Sequence, residues 1–235
     1  MADINGNKIV GIDIDNTVTH MTQWIMAYGQ NYSVEKTGQL AKIKDADGDD
    51  SNMMFNWTDE FDYSFWRDNV HQFLWYIKPR PLFVEMVNAL RKDGYKIYII
   101  TARKEKYFGK PVEFTKKWLK KNKVKYDNLF VSVIDKGQLC KDLGVDYFID
   151  DAPKYYNQAI ANGINTYVMN SYVNKEDNNP DLQRVNSFTE FYYHITGKNL
   201  TTSKENKKYF KNVPRNQNTI VADGDEKNKD SSFNN

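Results

Sequence analysis

Lys8-Ile9-Val10-Gly11-Ile12-Asp13-Ile14-Asp15-Asn16-Thr17 decides how this chain is read. Its first half is apolar and rich in β-branched residues, as a buried strand requires, and it ends in acids. Residues two apart in an extended chain project to the same side, so Asp13 and Asp15 converge at the carboxyl end of that strand. Two such carboxylates suit a hard cation or a shared proton. They also suit an ordinary solvated turn, where Asp and Asn are common. Taken alone, the stretch is balanced between these readings.

Downstream the chain alternates. Strands are predicted at 95–101, 129–134, 145–149 and 165–169, each short, apolar and rich in β-branched or aromatic residues. Helices are predicted between them. Residues 81–93 place Phe83, Val87 and Leu90 on one stripe, with Pro81 at the start and Gly94 past the end. Residues 111–122 align Val112, Thr115 and Leu119, with Phe114 and Trp118 beside them. Segments 136–143 and 153–162 stop at Gly144 and Gly163. This alternation predicts a Rossmann-like α/β core with a mostly parallel five-stranded sheet flanked by helices, formed by 1–19 and 80–200. Residues 20–79 break the rhythm with a run of aromatic residues and are expected to form an inserted helical cap. Residues 201–235, dominated by Asn, Lys, Asp and Ser, read as a disordered polar tail.

Composition narrows the function classes. The 235 residues are 40% hydrophobic, enough for one substantial core. Lys+Arg (33) nearly balance Asp+Glu (31), so no extended nucleic-acid surface is expected. No apolar run approaches the ~18 residues of a membrane span, and the start Met-Ala-Asp-Ile-Asn-Gly-Asn-Lys has no leader pattern. A soluble cytoplasmic protein is the expectation, of unassigned oligomeric state. The single Cys140 lies in the apolar pattern of a helix and reads as a buried, inert thiol. His20, His71 and His194 show no metal spacing, and only His20, close behind the first motif, is placed to matter.

Three features join the Asp pair at matching places in the alternation. Thr101 closes the second strand and is followed by Ala102-Arg103, a hydroxyl and free amides in a turn that can hold a phosphate oxygen. Lys136 opens the helix after the third strand, where an ammonium can neutralise phosphate charge. Asp150-Asp151 closes the fourth strand with further oxygen ligands. Ligands of open α/β sheets bind outside the carboxyl ends of the strands, where all of these fall. The pattern Asp13-x-Asp15-x-Thr17, Thr101, Lys136, Asp150-Asp151 resembles that of the haloacid dehalogenase superfamily of phosphohydrolases, over residues 9 to about 170. Within it, Gly11-Ile12-Asp13-Ile14-Asp15, Thr101-Ala102-Arg103, Asp135-Lys136 and Ile149-Asp150-Asp151 look most like the 5'(3')-deoxyribonucleotidase group.

The resemblance implies a Mg2+-dependent phosphomonoesterase. Asp13 is then the nucleophile that forms an aspartyl phosphate, and Asp15 the acid and base. Thr101, the Ala102 amide and Lys136 hold the phosphoryl group, and Asp13, Asp15 through its carbonyl, Asp150 and Asp151 hold the metal, Asp151 directly. Lys141 and Lys154 are weaker competitors for the lysine role. Asn16 stands where many relatives carry Gly, which Asn tolerates because it accepts positive φ. Arg103 reads as half of a structural ion pair, with contact to the substrate as the alternative. A C1-type cap in this superfamily selects the leaving group, and aromatic rings suit a nucleobase. Thr17, Trp24, Trp57 and Trp66 are the candidate substrate contacts, although most cap rings are expected to form the cap's own core. The expected substrate is a nucleoside monophosphate. The alternatives are another small phosphometabolite, a nucleic-acid 3' phosphate, or a non-catalytic binding protein on the same fold.

Overall fold

The computed structural model describes residues 6–46, 48 and 51–200, so the segment read as a polar tail lies outside it. Ile9–Ile12 forms β1, with all four residues buried, because it lies inside the sheet with neighbours on both sides. On one side it pairs with β2 (Lys96–Ile100), and β2 with β3 (Asn128–Phe130). On the other side it pairs with β4 (Tyr147–Asp150), followed by β5 (Asn165–Met169) and β6 (Gln183–Val185). The order is β3-β2-β1-β4-β5-β6, and every pairing is parallel. The chain runs outward from β1 in one direction, then returns to β4 and runs outward in the other. The topological switch therefore falls between β1 and β4, where a ligand site belongs in such a sheet.

Among the described residues the sheet has six strands rather than the expected five. β6 is three residues long with only Val185 buried, too short and too polar for a sequence pattern to register. The third strand stops at Phe130 instead of reaching residue 134, because the chain turns through Ser132 at φ 61°.

Between β1 and β2 the chain builds α1 (Met21–Thr37), the short α2 (Ser51–Met54) and α3 (Asp59–Tyr76). Thr58 caps α3 by accepting from the Phe61 amide, and Asp59, Glu60 and Asp62 complement the dipole of its first turn. The remaining helices are α4 (Phe83–Lys92), the single turn α5 (Glu105–Phe108), α6 (Pro111–Lys121), α7 (Lys136–Leu143), α8 (Pro153–Ala161) and α9 (Phe188–Thr196). α4 starts at Phe83, two residues later than Pro81 suggests, because Leu82 takes a left-handed φ of 64°. On α6 the buried face is Phe114, Thr115, Trp118 and Leu119. Of the expected line, Thr115 and Leu119 are buried and Val112 is exposed, and the aromatic pair Phe114 and Trp118 completes the buried face.

α7 lies unusually close to α8. A Cβ on Gly137 would stand 2.2 Å from the carbonyl oxygen of Gln158, so only glycine permits this approach. Cys140, on α7, is fully buried. No helix among the described residues is long and apolar enough to cross a membrane.

Candidate active site

The ends of β1, β2 and β4, with the start of α7, surround one pocket lined by Asp13, Asp15, Thr101, Ala102, Arg103, Lys136, Asp150 and Asp151. The sheet ladder continues one residue past β1, where the Asp13 amide donates to the Ile149 carbonyl at 3.1 Å. That bond sets Asp13 beside Asp150. Asp135 caps α7 by accepting from the Gln138 amide at 2.9 Å, which fixes where Lys136 begins the helix. The Lys136 ammonium is buried between the two acids, 2.6 Å from Asp13 Oδ1 and 2.7 Å from Asp150 Oδ2. Lys141 and Lys154 are exposed.

The electrostatics follow from that burial. Burial would lower the Lys136 pKa, but the charges of Asp13 and Asp150 outweigh it and raise the ammonium above its usual range. Burial pushes Asp13 up to about 7 against the pull of Lys136, with Asp150 and Asp15 adding to the rise. Burial raises Asp150 as well. Asp13, Asp150 and Asp151 each offer a carboxylate oxygen within 4.8 Å of the others, and all three are buried. Three buried hard-oxygen donors around one ammonium make a set that a divalent cation fits, because the excess negative charge needs neutralising.

Asp151 is held from both sides, by the Thr17 hydroxyl at 2.9 Å and the Ser171 hydroxyl at 2.9 Å. Thr17 is thus committed to Asp151 and does not line the pocket. Asn16 adopts φ 63°, as its substitution for glycine anticipates. Its side-chain oxygen accepts from the Thr22 amide at 2.8 Å and the Thr22 hydroxyl at 3.0 Å. α1 has no side-chain cap of its own at His20, so Asn16 supplies one and ties the loop after β1 to the helical insert.

Asp15 faces a different cation from Asp13. Arg103 Nε and Nη2 reach its two carboxylate oxygens at 2.9 and 2.8 Å, a fork-to-fork ion pair. The Thr101 hydroxyl lies in the pocket wall, fully buried and without a hydrogen-bond partner among the described residues. A phosphoryl oxygen in the pocket would satisfy it.

The rest of the lining comes from Met21, Ile25 and Trp66 of the insert, from Lys104, Tyr107 and Phe108 around α5, and from Ala152 and Tyr155. Of the three candidate tryptophans only Trp66 reaches the pocket, and it is itself 2% exposed, with Nε1 donating to Ser51 Oγ at 2.7 Å. Trp24 is buried against Tyr28, Phe65, Trp66 and Phe73 and does not line the pocket. Trp57 stacks on Phe55 at 4.4 Å and donates to Ser33 Oγ at 3.1 Å, inside the insert. His20 lies in a separate cleft with Arg80, its pKa lowered by burial and then by the Arg80 charge. Sequence reasoning missed Tyr107, Phe108 and Tyr155. The signal available for the first two was their position in the turn that follows Thr101-Ala102-Arg103. For Tyr155 it was the place just after Asp150-Asp151, where its ring centroid lies 4.1 Å from the Lys136 ammonium.

No family model matches the chain. Over 186 residues it is 29% identical to a Bacillus cereus protein named "Putative nucleotidase", covering 77% of this chain and 94% of that one. Among solved structures, a "predicted phosphatase" from Clostridium acetobutylicum superposes with TM-score 0.59 at 18% identity, over 82% of this chain and 99% of that one. A haloacid dehalogenase-like hydrolase from Streptococcus pneumoniae superposes with TM-score 0.58 at 12% identity, over 82% and 100%. The α/β sheet with its flanking helices is the haloacid dehalogenase-like fold.

Proposed function

We propose that this protein is a Mg2+-dependent phosphomonoesterase that works through an aspartyl phosphate on Asp13 and takes nucleoside monophosphates as substrates. The observation that carries the reading is the convergence on one pocket of the Lys136-bridged Asp13 and Asp150 with the unpartnered Thr101 hydroxyl. The Thr101 hydroxyl and the Ala102 amide receive phosphoryl oxygens, and Lys136 offsets their charge. Asp13 forms a bond to phosphorus as the ester bond to the leaving oxygen breaks, and Asp15 gives that oxygen its proton. Water then attacks phosphorus and passes a proton to Asp15, and the bond to Asp13 breaks, releasing phosphate. Asp13, Asp150, Asp151 and the Asp15 carbonyl would hold Mg2+, which supplies charge neutralisation between carboxylate and phosphate. Asp151, already oriented by Thr17 and Ser171, is the direct ligand of the pair.

Two observations support a nucleotide. The Bacillus cereus relative carries the nucleotidase name over most of both chains. Beyond the acids, the pocket is lined by apolar and aromatic side chains, Trp66, Tyr107, Phe108, Met21 and Ile25. The residues framing the pocket from residues 21–66 therefore act as the leaving-group selector, and the insert is the cap. The test is phosphate release with Mg2+ from p-nitrophenyl phosphate and from a panel of nucleotides and sugar phosphates. Wild type is expected to turn over the aryl ester and nucleoside monophosphates, and Asp13→Asn to turn over neither. An unchanged rate in Asp13→Asn overturns the chemistry. Sugar phosphates hydrolysed well with nucleotides untouched overturns the substrate.

A further inference from the structure

Arg103 is buried more completely than a surface ion pair needs. Its side chain has no exposed surface, whereas its partner Asp15 is 23% exposed toward the pocket. The guanidinium carbon lies 4.9 Å from the ring centroids of Phe73 and Phe108, 5.8 Å from Phe114 and 5.7 Å from Trp118. Nη1 donates to Thr115 Oγ1 at 3.2 Å, and the Arg103 carbonyl accepts from the Ser132 hydroxyl at 2.9 Å. Backbone, charge and planar head are thus each fixed by a different element. Placing a guanidinium in such a site is unfavourable unless a carboxylate matches its fork. The only carboxylate that matches it among the described residues is Asp15. With no exposed surface, Arg103 acts on the pocket through that carboxylate.

We propose that Arg103 is a positioning residue that clamps the Asp15 carboxylate in the one orientation from which it serves the leaving oxygen. The inference rests on the phosphomonoesterase reading and deepens it. A bidentate fork fixes both the position and the plane of a carboxylate, leaving the lone pairs on its pocket side for proton transfer. A misplacement of about 1 Å at such a group costs on the order of 10²-fold in rate. The turn Thr101-Ala102-Arg103 then does two things at once: its first two residues receive the phosphoryl oxygens and its third aims the acid.

The experiment compares substrates that differ in their need for that acid. An alkyl monophosphate, such as a nucleoside 5'-monophosphate, leaves as a strongly basic alkoxide and needs a proton. p-Nitrophenyl phosphate leaves as a phenolate that does not. kcat/KM reports the step that forms the aspartyl phosphate, so it is measured for both. Arg103→Lys keeps the charge and loses the fork. It is expected to lose about 10²-fold on the alkyl ester and less than about tenfold on the aryl ester. In an Asp15→Asn background the same substitution is expected to add less than about twofold, since its route is already cut. Thr115→Val, which loosens the clamp without touching its charge, shifts the alkyl-to-aryl ratio in the same direction by a few-fold. It decides the matter if Arg103→Lys shows no cooperative unfolding transition. Equal losses on both esters, or additive losses in the Asp15→Asn background, overturn the proposal while leaving the phosphatase reading intact. A wild type that turns over neither ester, or an Asp13→Asn variant that still turns them over, overturns both.

Discussion

The strand ends below the pocket and the helical insert above it are both rich in residues that sequence singles out, and they use them in opposite ways. Below, nearly every polar side chain points at another across long stretches of chain: Asp13 and Asp150 at Lys136, Asp15 at Arg103, Asp151 at Thr17 and Ser171. Above, the rings point mostly at one another. Trp24 contacts Tyr28, Phe65, Trp66 and Phe73, and Trp57 stacks on Phe55. A buried charge has few acceptable partners and so declares its role, whereas an aromatic ring packs equally well on a neighbour or a substrate.

The largest expected effect on turnover lies below the pocket. Lys136→Met leaves Asp13 and Asp150 buried with no counter-charge, so phosphate release should fall by ~10²–10³-fold. Without added Mg2+, stability should fall by about 3 kcal/mol in urea unfolding. A variant with normal activity would erase the contrast between the two regions. Next comes Trp66→Ala, which removes a buried ring and its bond to Ser51. A loss of ~3–5 kcal/mol is expected by the same measurement. A change in KM without loss of stability would make Trp66 a substrate residue rather than insert core. Tyr107→Ala is expected to raise KM for nucleotides about tenfold with little change in melting temperature, the value of one base-stacking contact. Trp57→Phe sharpens the same line from the other side. It should cost about 1 kcal/mol through the lost Ser33 bond and leave KM unchanged. Smallest of all, burial pushes the Cys140 thiol up to about 12, so iodoacetamide at pH 8 should leave the folded protein unmodified.

The core was legible because its signals are local. Apolar runs ending in Asp13, Thr101 and Asp150 mark strand ends, and glycines at 94, 144 and 163 mark helix stops. Lys136 stood out from Lys141 and Lys154 by its place after the third strand, and the structure buries it while leaving the other two exposed. What stayed hidden depends on distant packing. β6 exists because β5 offers Gln183–Val185 an edge, not because its own residues favour a strand. Which ring of the insert faces the pocket is set by how α3 lies against α5. That packing brings Trp66 to Tyr107 and Phe108. The fork on Asp15 is non-local in the same way, since 88 residues separate the partners.

The Lys136 bridge also bears on when the site comes into being. Lys136 joins residues 123 and 14 positions away, and the Thr17 bond to Asp151 closes a loop of 134. Closing a long loop costs entropy before any contact rewards it, so these bonds form after the local helices. A chain emerging from the ribosome holds no complete working centre until Asp151 is out and β4 has docked on β1. Recovery of turnover on refolding is thus a clock for the last long-range pairing, and it should lag behind the return of helical circular dichroism.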